Sequence, residues 1–393
     1  MKSGMARLAE SHSPSRLSMG FWALVLYALT PVISSAQHSA SFRDVIIVLV
    51  ALVVAVIFAG SIRFSASSLL YLLLYLFAFL STALSTYVVI KRTMITYLAF
   101  CFILWLFAGL EYTDDEISIF KKVYSLLGVA CAILITLSWI FDVPYGWHRY
   151  SLDIIGLHKN PNYINNIILL GFAFTLHDLL QKKSWKIADT VMLLVMGTGC
   201  FLTGTRAALL CIALLVVFAV CYQLFVKRKF TYMILLGVLS IVGYLVIARF
   251  SSDYASERLL GENLFQDDGR MLMWTHALRE WWKMPILGLG VDAANLHNTT
   301  LNLRAQDIHN IYLQLLCDQG LVGFGLFLAI VLCIIRRTQK RDRFLLYLMM
   351  ISLFVPTMFQ NGTVGYAFWW PLTILEIFSR KSWRCTSCEL QSS

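Results

Sequence analysis

The chemistry open to this chain is set by a few cations and imidazoles: Arg206 in a short joint, and Arg270, His276, Arg279, Lys283, His297 and His309 in one polar insert. A guanidinium presents a planar fork of donors that matches phosphate oxygens. An imidazole has an ordinary pKa near 6.5 and moves protons around neutrality. That combination points to an anionic ligand with a proton-transfer or orienting group beside it. His309 leads as the reacting or positioning group. His276 and His297 are expected to be solvated or structural.

The elements that must position these groups are apolar. The insert, from Arg249 to Asp318, is the only long stretch that does not suit a bilayer. Of the 393 residues 59% are hydrophobic and 14% charged, with a mean hydropathy of +0.72, which marks an integral membrane protein. A spanning helix needs about 20 apolar residues, because its backbone must satisfy itself in lipid. Twelve runs qualify, near 17–36, 44–62, 68–90, 93–111, 121–141, 163–180, 187–204, 207–226, 230–248, 319–335, 344–360 and 363–379. They are continuous rather than alternating, so the expectation is an all-α fold of about twelve transmembrane helices, not a barrel. It divides into a bundle at 1–248, an outer loop at 249–318, and closing spans with an inner tail at 319–393. Lys/Arg bias places the N-terminus and the joints QKKSWK, KRK and RRTQKRDR inside, and the insert outside. Lys91 and Arg92 run against that pattern. The net charge of +10 reflects inside anchors facing anionic headgroups rather than nucleic acid.

Three outer pieces follow from local chemistry. In DVPYGWHRYSLDIIGLHKNPN, Asn162 is a candidate N-cap for the next span. Gly204-Thr205-Arg206 is a tight hairpin, with Thr205 as cap and Arg206 in the first helical turn. A cation is disfavoured there unless an anion engages both the helix end and the guanidinium; otherwise Arg206 snorkels to headgroups. From Gly269 to Met284 the spacing predicts an interfacial helix, with Met271, Trp274, Leu278 and Trp281 on one stripe and His276, Arg279 and Lys283 opposed. Pro285 ends it, and Asp267-Asp268 form an acidic start. A second helix is expected after Asp307 as its cap, with His309 in the first turn. No HExxH or paired CxxC offers a metal site, and Cys385/Cys388 form a lone CxxC. No cofactor is expected.

The runs LTGTRAALL, GRMLMWTHALREWWKMPILGLGVD and DIHNIYLQLLCDQGLVGFGLF, in that order and with GLHKNPN as a weaker fourth element, resemble the O-antigen ligase/polymerase superfamily. The likeness spans roughly Gly156 to Gly325. It implies a fold of the GT-C glycosyltransferase kind in the bacterial inner membrane, with its site facing the periplasm. It also implies transfer of a glycan from undecaprenyl pyrophosphate to an acceptor hydroxyl, without nucleotide sugar or metal. Carried over, Arg206 and Arg270 bind the donor pyrophosphate and His309 activates or orients the acceptor, so these three are the catalytic expectation. Arg279, Asn310 and Asn160 join Arg206 and Arg270 as substrate-binding residues. Arg279 and Gly290 fit the family's Arg-x10-Gly spacing.

Three activities lie within that resemblance: ligation to lipid A–core in lipopolysaccharide synthesis, polymerisation of repeat units, and transfer to a protein hydroxyl. A single large outer loop favours ligation over polymerisation, and the short stretch after the last span disfavours a protein transferase. A polyprenyl-lipid transporter or flippase is the rival of another class. No charged mid-span path and no Gly- or Pro-broken span is evident to support it.

Overall fold

The computed structural model describes residues 17–33, 50, 53, 57, 66–85, 91–146, 149–157, 159–181, 187–228, 270–291, 293, 308–360 and 368–379. Those residues fold into helices: α1 Met19–Ile33, α2 Ala66–Ala83, α3 Lys91–Gly109, α4 Asp114–Ile140, α5 Pro161–Gln181, α6 Ile187–Leu202, α7 Arg206–Cys221, α8 Arg270–Trp281, α9 Ile311–Arg337 and α10 Arg343–Thr357, then α11 at 368–379. A π-turn, Tyr222–Val226, continues α7. Among the described residues there is no strand, only a lone bridge between Gly146 and Arg149. Among the described residues four helices are long and apolar enough to cross a membrane by length and composition: α4, α5, α7 with its π-turn, and α9. The runs expected at 44–62 and 230–248 lie largely or wholly outside the described residues, as do Asp267, Asp268, His148, His158, His297, Asp307 and both CxxC cysteines.

Sequence detail accounts for several boundaries. α4 starts at Asp114, not near 121, because Thr113 and Glu116 form a capping box: the Thr113 hydroxyl accepts from Glu116 N at 3.2 Å and Glu116 Oε2 accepts from Thr113 N at 2.8 Å. The free carboxylate oxygen accepts from Ser18 N, tying the start of α1 to α4. α5 is the central helix, with 83% of its apolar window buried against 22% for α7. Small residues let its neighbours close in, as small interfaces do in lipid, where apolar burial alone does not drive association. A Cβ on Gly199 of α6 would lie 2.6 Å from the Ala132 Cβ of α4.

The two ends of the bundle differ in chemistry. At one, Lys121 of α4 pairs with Asp178 of α5 at 2.7 Å, and Tyr222 stacks on Phe344. Arg337 of α9 makes a forked pair with the fully buried Glu376 of α11, at 2.9 and 3.2 Å. Ser67 and Tyr71 of α2 donate to the same carboxylate. At the other end α4, α6, α2 and α10 finish while α5, α7 and α9 begin, and the residues of interest gather there.

α9 is one helix by hydrogen bonding but breaks at Gly320, where φ is 61° and ψ −165°. An unbroken tenth span was expected, so this is a correction. The break has a tertiary cause. The segment after α8 inserts into it, and the freed backbone groups pair with that segment: Leu289 N donates to Cys317 O at 2.8 Å, Gly290 N to Asp318 O at 2.9 Å, and Leu321 N to Pro285 O at 2.9 Å. Non-helical backbone at membrane depth survives only when protein satisfies it in this way. A Cβ on Gly320 would overlap the Ile286 carbonyl, and one on Gly288 would sit 2.5 Å from the Asp318 carbonyl. α2 holds the far side: Thr82 accepts from Val291 N at 3.0 Å, Ser81 donates to Asp318 O, and Ser85 donates to Leu289 O.

Candidate active site

Arg206 is the first residue of α7 and is half-buried. Thr205 occupies the cap position, as its type suggested, yet its side chain makes no capping bond. Its hydroxyl instead donates to Asn162 Oδ1 at 3.2 Å and accepts from Arg149 at 3.1 Å. Arg149 also donates to Thr203 O and to Asn162 Oδ1. The guanidinium therefore clamps the 203–205 hairpin against the start of α5 and leaves the α7 N-terminus without a side-chain cap. A first turn in that state carries partial positive charge and outward N–H groups, the usual setting for a bound anion. In the same joint, burial and the Asp142 carboxylate raise the Tyr150 phenol above its ordinary pKa, and it donates to Asp142 Oδ1.

Asn162 is not the cap of α5. Asn160 is: its side-chain oxygen accepts from Asn162 N at 3.0 Å, with Pro161 at the first helical position. Asn162 is thereby released to serve Arg149 and Thr205. Asn160 sits half-buried at the mouth of α5.

His309 stands just before α9 rather than in its first turn, and the cap is Asn310 rather than Asp307. Asn310 Oδ1 accepts from Tyr312 N at 3.1 Å and Leu313 N at 3.0 Å. His309 has φ +53°, the left-handed region that a non-glycine residue adopts at a cost. Both neighbours hold it there. Asn310 is fixed by its cap, and Ile308 is fully buried with its carbonyl accepting from the Trp274 indole at 2.8 Å. Trp274 belongs to α8, which packs on the start of α9 through Ala277, Ile308 and Cys317. Arg270 opens α8, one turn before Trp274.

The exposed and buried faces of α8 differ from the expected stripes. Met273, Ala277 and Glu280 are buried, with Trp274 and Trp281 beside them, whereas Met271 and Leu278 are 56% and 43% exposed. The reason is Glu280: Lys283 neutralises it at 2.6 Å, so a carboxylate enters the face. Arg279 is exposed in the last turn, where a cation suits the helix dipole.

The tip of α10 joins the two halves. Tyr312 donates to Phe354 O and bonds Thr357, each at 2.8 Å. Pro356, Phe359 and Gln360 line a cleft with Thr205, Ala207 and Ala208 of the α7 start. The α7 start that bears Arg206 and the α9 start that follows His309 thus both meet the tip of α10, while α8 reaches the His309 segment through Trp274, one turn after Arg270. Sequence reasoning missed Arg149, Trp274 and the tip of α10, and no local signal marks them, since each acts across 34 or more residues of chain.

Residues 191–328 match the family model described as O-antigen ligase. That segment, about a third of the chain, is similar to the O-antigen ligase family. The matched segment holds Arg206, Arg270, Arg279, His309 and Asn310 together with Gly288 and Gly320, and leaves Arg149 and Asn160 outside. No curated protein matches the chain. With four described helices long and apolar enough to cross a membrane, the chain is a multi-pass membrane protein.

Proposed function

We propose that this protein is an O-antigen ligase of the bacterial inner membrane. In this reading it transfers a glycan from undecaprenyl pyrophosphate to a sugar hydroxyl of lipid A–core, on the periplasmic side. The observation that carries it is the α7 N-terminus. Its cap hydroxyl is drawn away by Asn162 and Arg149, and Arg206 stands in its first turn. A helix start and a guanidinium together favour a pyrophosphate.

The chemistry is a single displacement. The acceptor oxygen attacks the anomeric carbon opposite the pyrophosphate, so its configuration inverts. The bond from that carbon to the pyrophosphate oxygen breaks, and its electron pair stays on the leaving group. Arg206 and Arg270 stabilise the developing charge. His309 takes the acceptor proton or orients the hydroxyl that loses it. Asn310 supports this role by capping α9, and Asn160 by capping α5; Arg279, exposed on α8, is the outermost cation available to the donor. No step requires a metal or a cofactor.

A ligase-null strain complemented with His309→Ala or Arg270→Ala tests the reading. Both proteins should reach the membrane and both should leave lipopolysaccharide without O-antigen ladders. Normal ladders from both variants would overturn it. Repeat-unit polymerisation would show instead as restored chain length in a polymerase-null strain.

A further inference from the structure

The α7 start and the α9 start are both held by one short piece of chain, the tip of α10 at residues 354–360. Among the described residues α10 packs against α5, α7 and α9, while α9 makes little direct contact with α5 or α7. How the tip grips each side therefore sets where the α9 mouth stands relative to the Arg206 turn.

Its grip on α9 uses a carbonyl that the helix leaves over. Phe354 lies in the last turn of α10, where the final four carbonyls lack a helical N–H to accept from. Phe354 O accepts from the Tyr312 hydroxyl at 2.8 Å and from the Thr357 hydroxyl at 2.7 Å. Tyr312 is the second residue of α9, and its N–H is held by Asn310, the residue after His309.

The grip on the other side is a pair of side-chain amides. Gln360 and Asn166 are both buried. Gln360 Nε2 donates to Asn166 Oδ1 at 2.9 Å, and Asn166 Nδ2 donates back to Gln360 Oε1 at 3.1 Å. The second N–H of Gln360 goes to the Asn162 carbonyl at 2.9 Å. A backbone carbonyl can only accept, so this bond fixes which way the Gln360 amide faces, and through it the Asn166 amide. A flipped amide would set its oxygen against that carbonyl. Asn162 in turn accepts on Oδ1 from Thr205, the residue before Arg206, and from Arg149.

We propose that Gln360 is a positioning residue of the transfer site: its amide bonds and the Tyr312 bond at the other end of the tip act in series to set the distance between the Arg206 turn and His309. This role rests on the transfer reading for what Arg206 and His309 do. Groups that share one displacement must be held to within about 0.5 Å of the productive geometry, and a shift of about 1 Å costs on the order of 100-fold in rate.

Two variants of the purified full-length protein test it. Gln360→Met keeps length and burial and deletes all three side-chain bonds; Tyr312→Phe deletes one hydroxyl at the opposite end. With a synthetic polyprenyl-pyrophosphate glycan and lipid A–core, each should lose roughly 10- to 100-fold in kcat while donor KM stays within about twofold of wild type. A residue that only stabilises the fold would lower the unfolding temperature and leave kcat of the folded protein intact, so wild-type kcat in the folded variants overturns the proposal. Because the grips act in series, the double variant should be no slower than the slower single one; losses that multiply overturn it as well. Nitroxides at the exposed Ile155 and Leu278 read the distance without turnover. Double electron–electron resonance should show a broader distribution in each variant than in the wild type, and unchanged distributions sink the positioning role even if kcat falls. If the wild type transfers nothing, the transfer reading fails by itself, and the resonance distributions still decide whether Gln360 sets the distance. Tyr312→Phe carries the test if Gln360→Met does not fold.

Discussion

Replacing Trp274 by Phe isolates the device that holds His309. The ring still packs on Ala277, Ile308 and Cys317, but the 2.8 Å bond from the indole to Ile308 O is lost. Ile308 is fully buried, so water does not readily replace that donor. Losing it costs about 1–3 kcal/mol. The left-handed backbone of the next residue, His309 at φ +53°, costs on the order of 1–3 kcal/mol to maintain. The two magnitudes match, so removing the indole bond lets the histidine segment relax into ordinary conformers. At about 1.4 kcal/mol per factor of ten, the productive population and kcat should fall roughly 5- to 100-fold. Donor KM should change little, because Arg206 and the α7 N-terminus are untouched. The assay is steady-state glycan transfer by purified protein, with thermal unfolding as a control for global damage. In a His309→Ala background the same change should add nothing, since the two residues act as one unit. A Trp274→Phe enzyme with kcat within about twofold of wild type would refute the argument that this bond positions the histidine.

Other consequences follow from the same contacts. Gly320→Ala places a Cβ against the Ile286 carbonyl in a backbone region reserved for glycine, and should cost about 3 kcal/mol or more; loss of a monodisperse peak in size-exclusion chromatography reads it. Arg149→Leu frees the Thr205 hydroxyl to cap α7, so donor KM should rise about tenfold with kcat nearly unchanged. Glu376→Gln breaks the buried fork with Arg337 far from the site, and should lower stability by about 3–5 kcal/mol while kcat of the surviving protein stays near wild type.

The helices were legible because twenty-residue apolar runs leave the backbone no alternative in lipid. Each expected run on described residues coincides with a helix, although α4 began earlier than hydropathy suggested, and the Thr113-Asp-Asp-Glu116 box was the readable sign. Arg206 and Arg270 were legible as cations opening helices. Other features were legible in principle: Pro161 at a first helical position marks Asn160, not Asn162, as the cap. The break at Gly320 was not, since its cause is a segment about thirty residues upstream whose backbone replaces the missing helical partners. The clamp by Arg149 was hidden for the same reason. A lone arginine in a joint says nothing of a hairpin more than fifty residues away. Nor does a tryptophan on an amphipathic stripe reveal that its N–H reaches the residue before a histidine.

The central claim is that one end of the bundle carries out metal-free transfer of a glycan from a polyprenyl pyrophosphate. Incubating the purified protein with a synthetic polyprenyl-pyrophosphate glycan and lipid A–core in EDTA measures it directly. The account predicts glycosylated acceptor of inverted anomeric configuration, formed in step with released polyprenyl pyrophosphate, and none with Arg206→Ala or His309→Ala. Undiminished product from those variants, or no product from the wild type until a divalent metal is added, would contradict it.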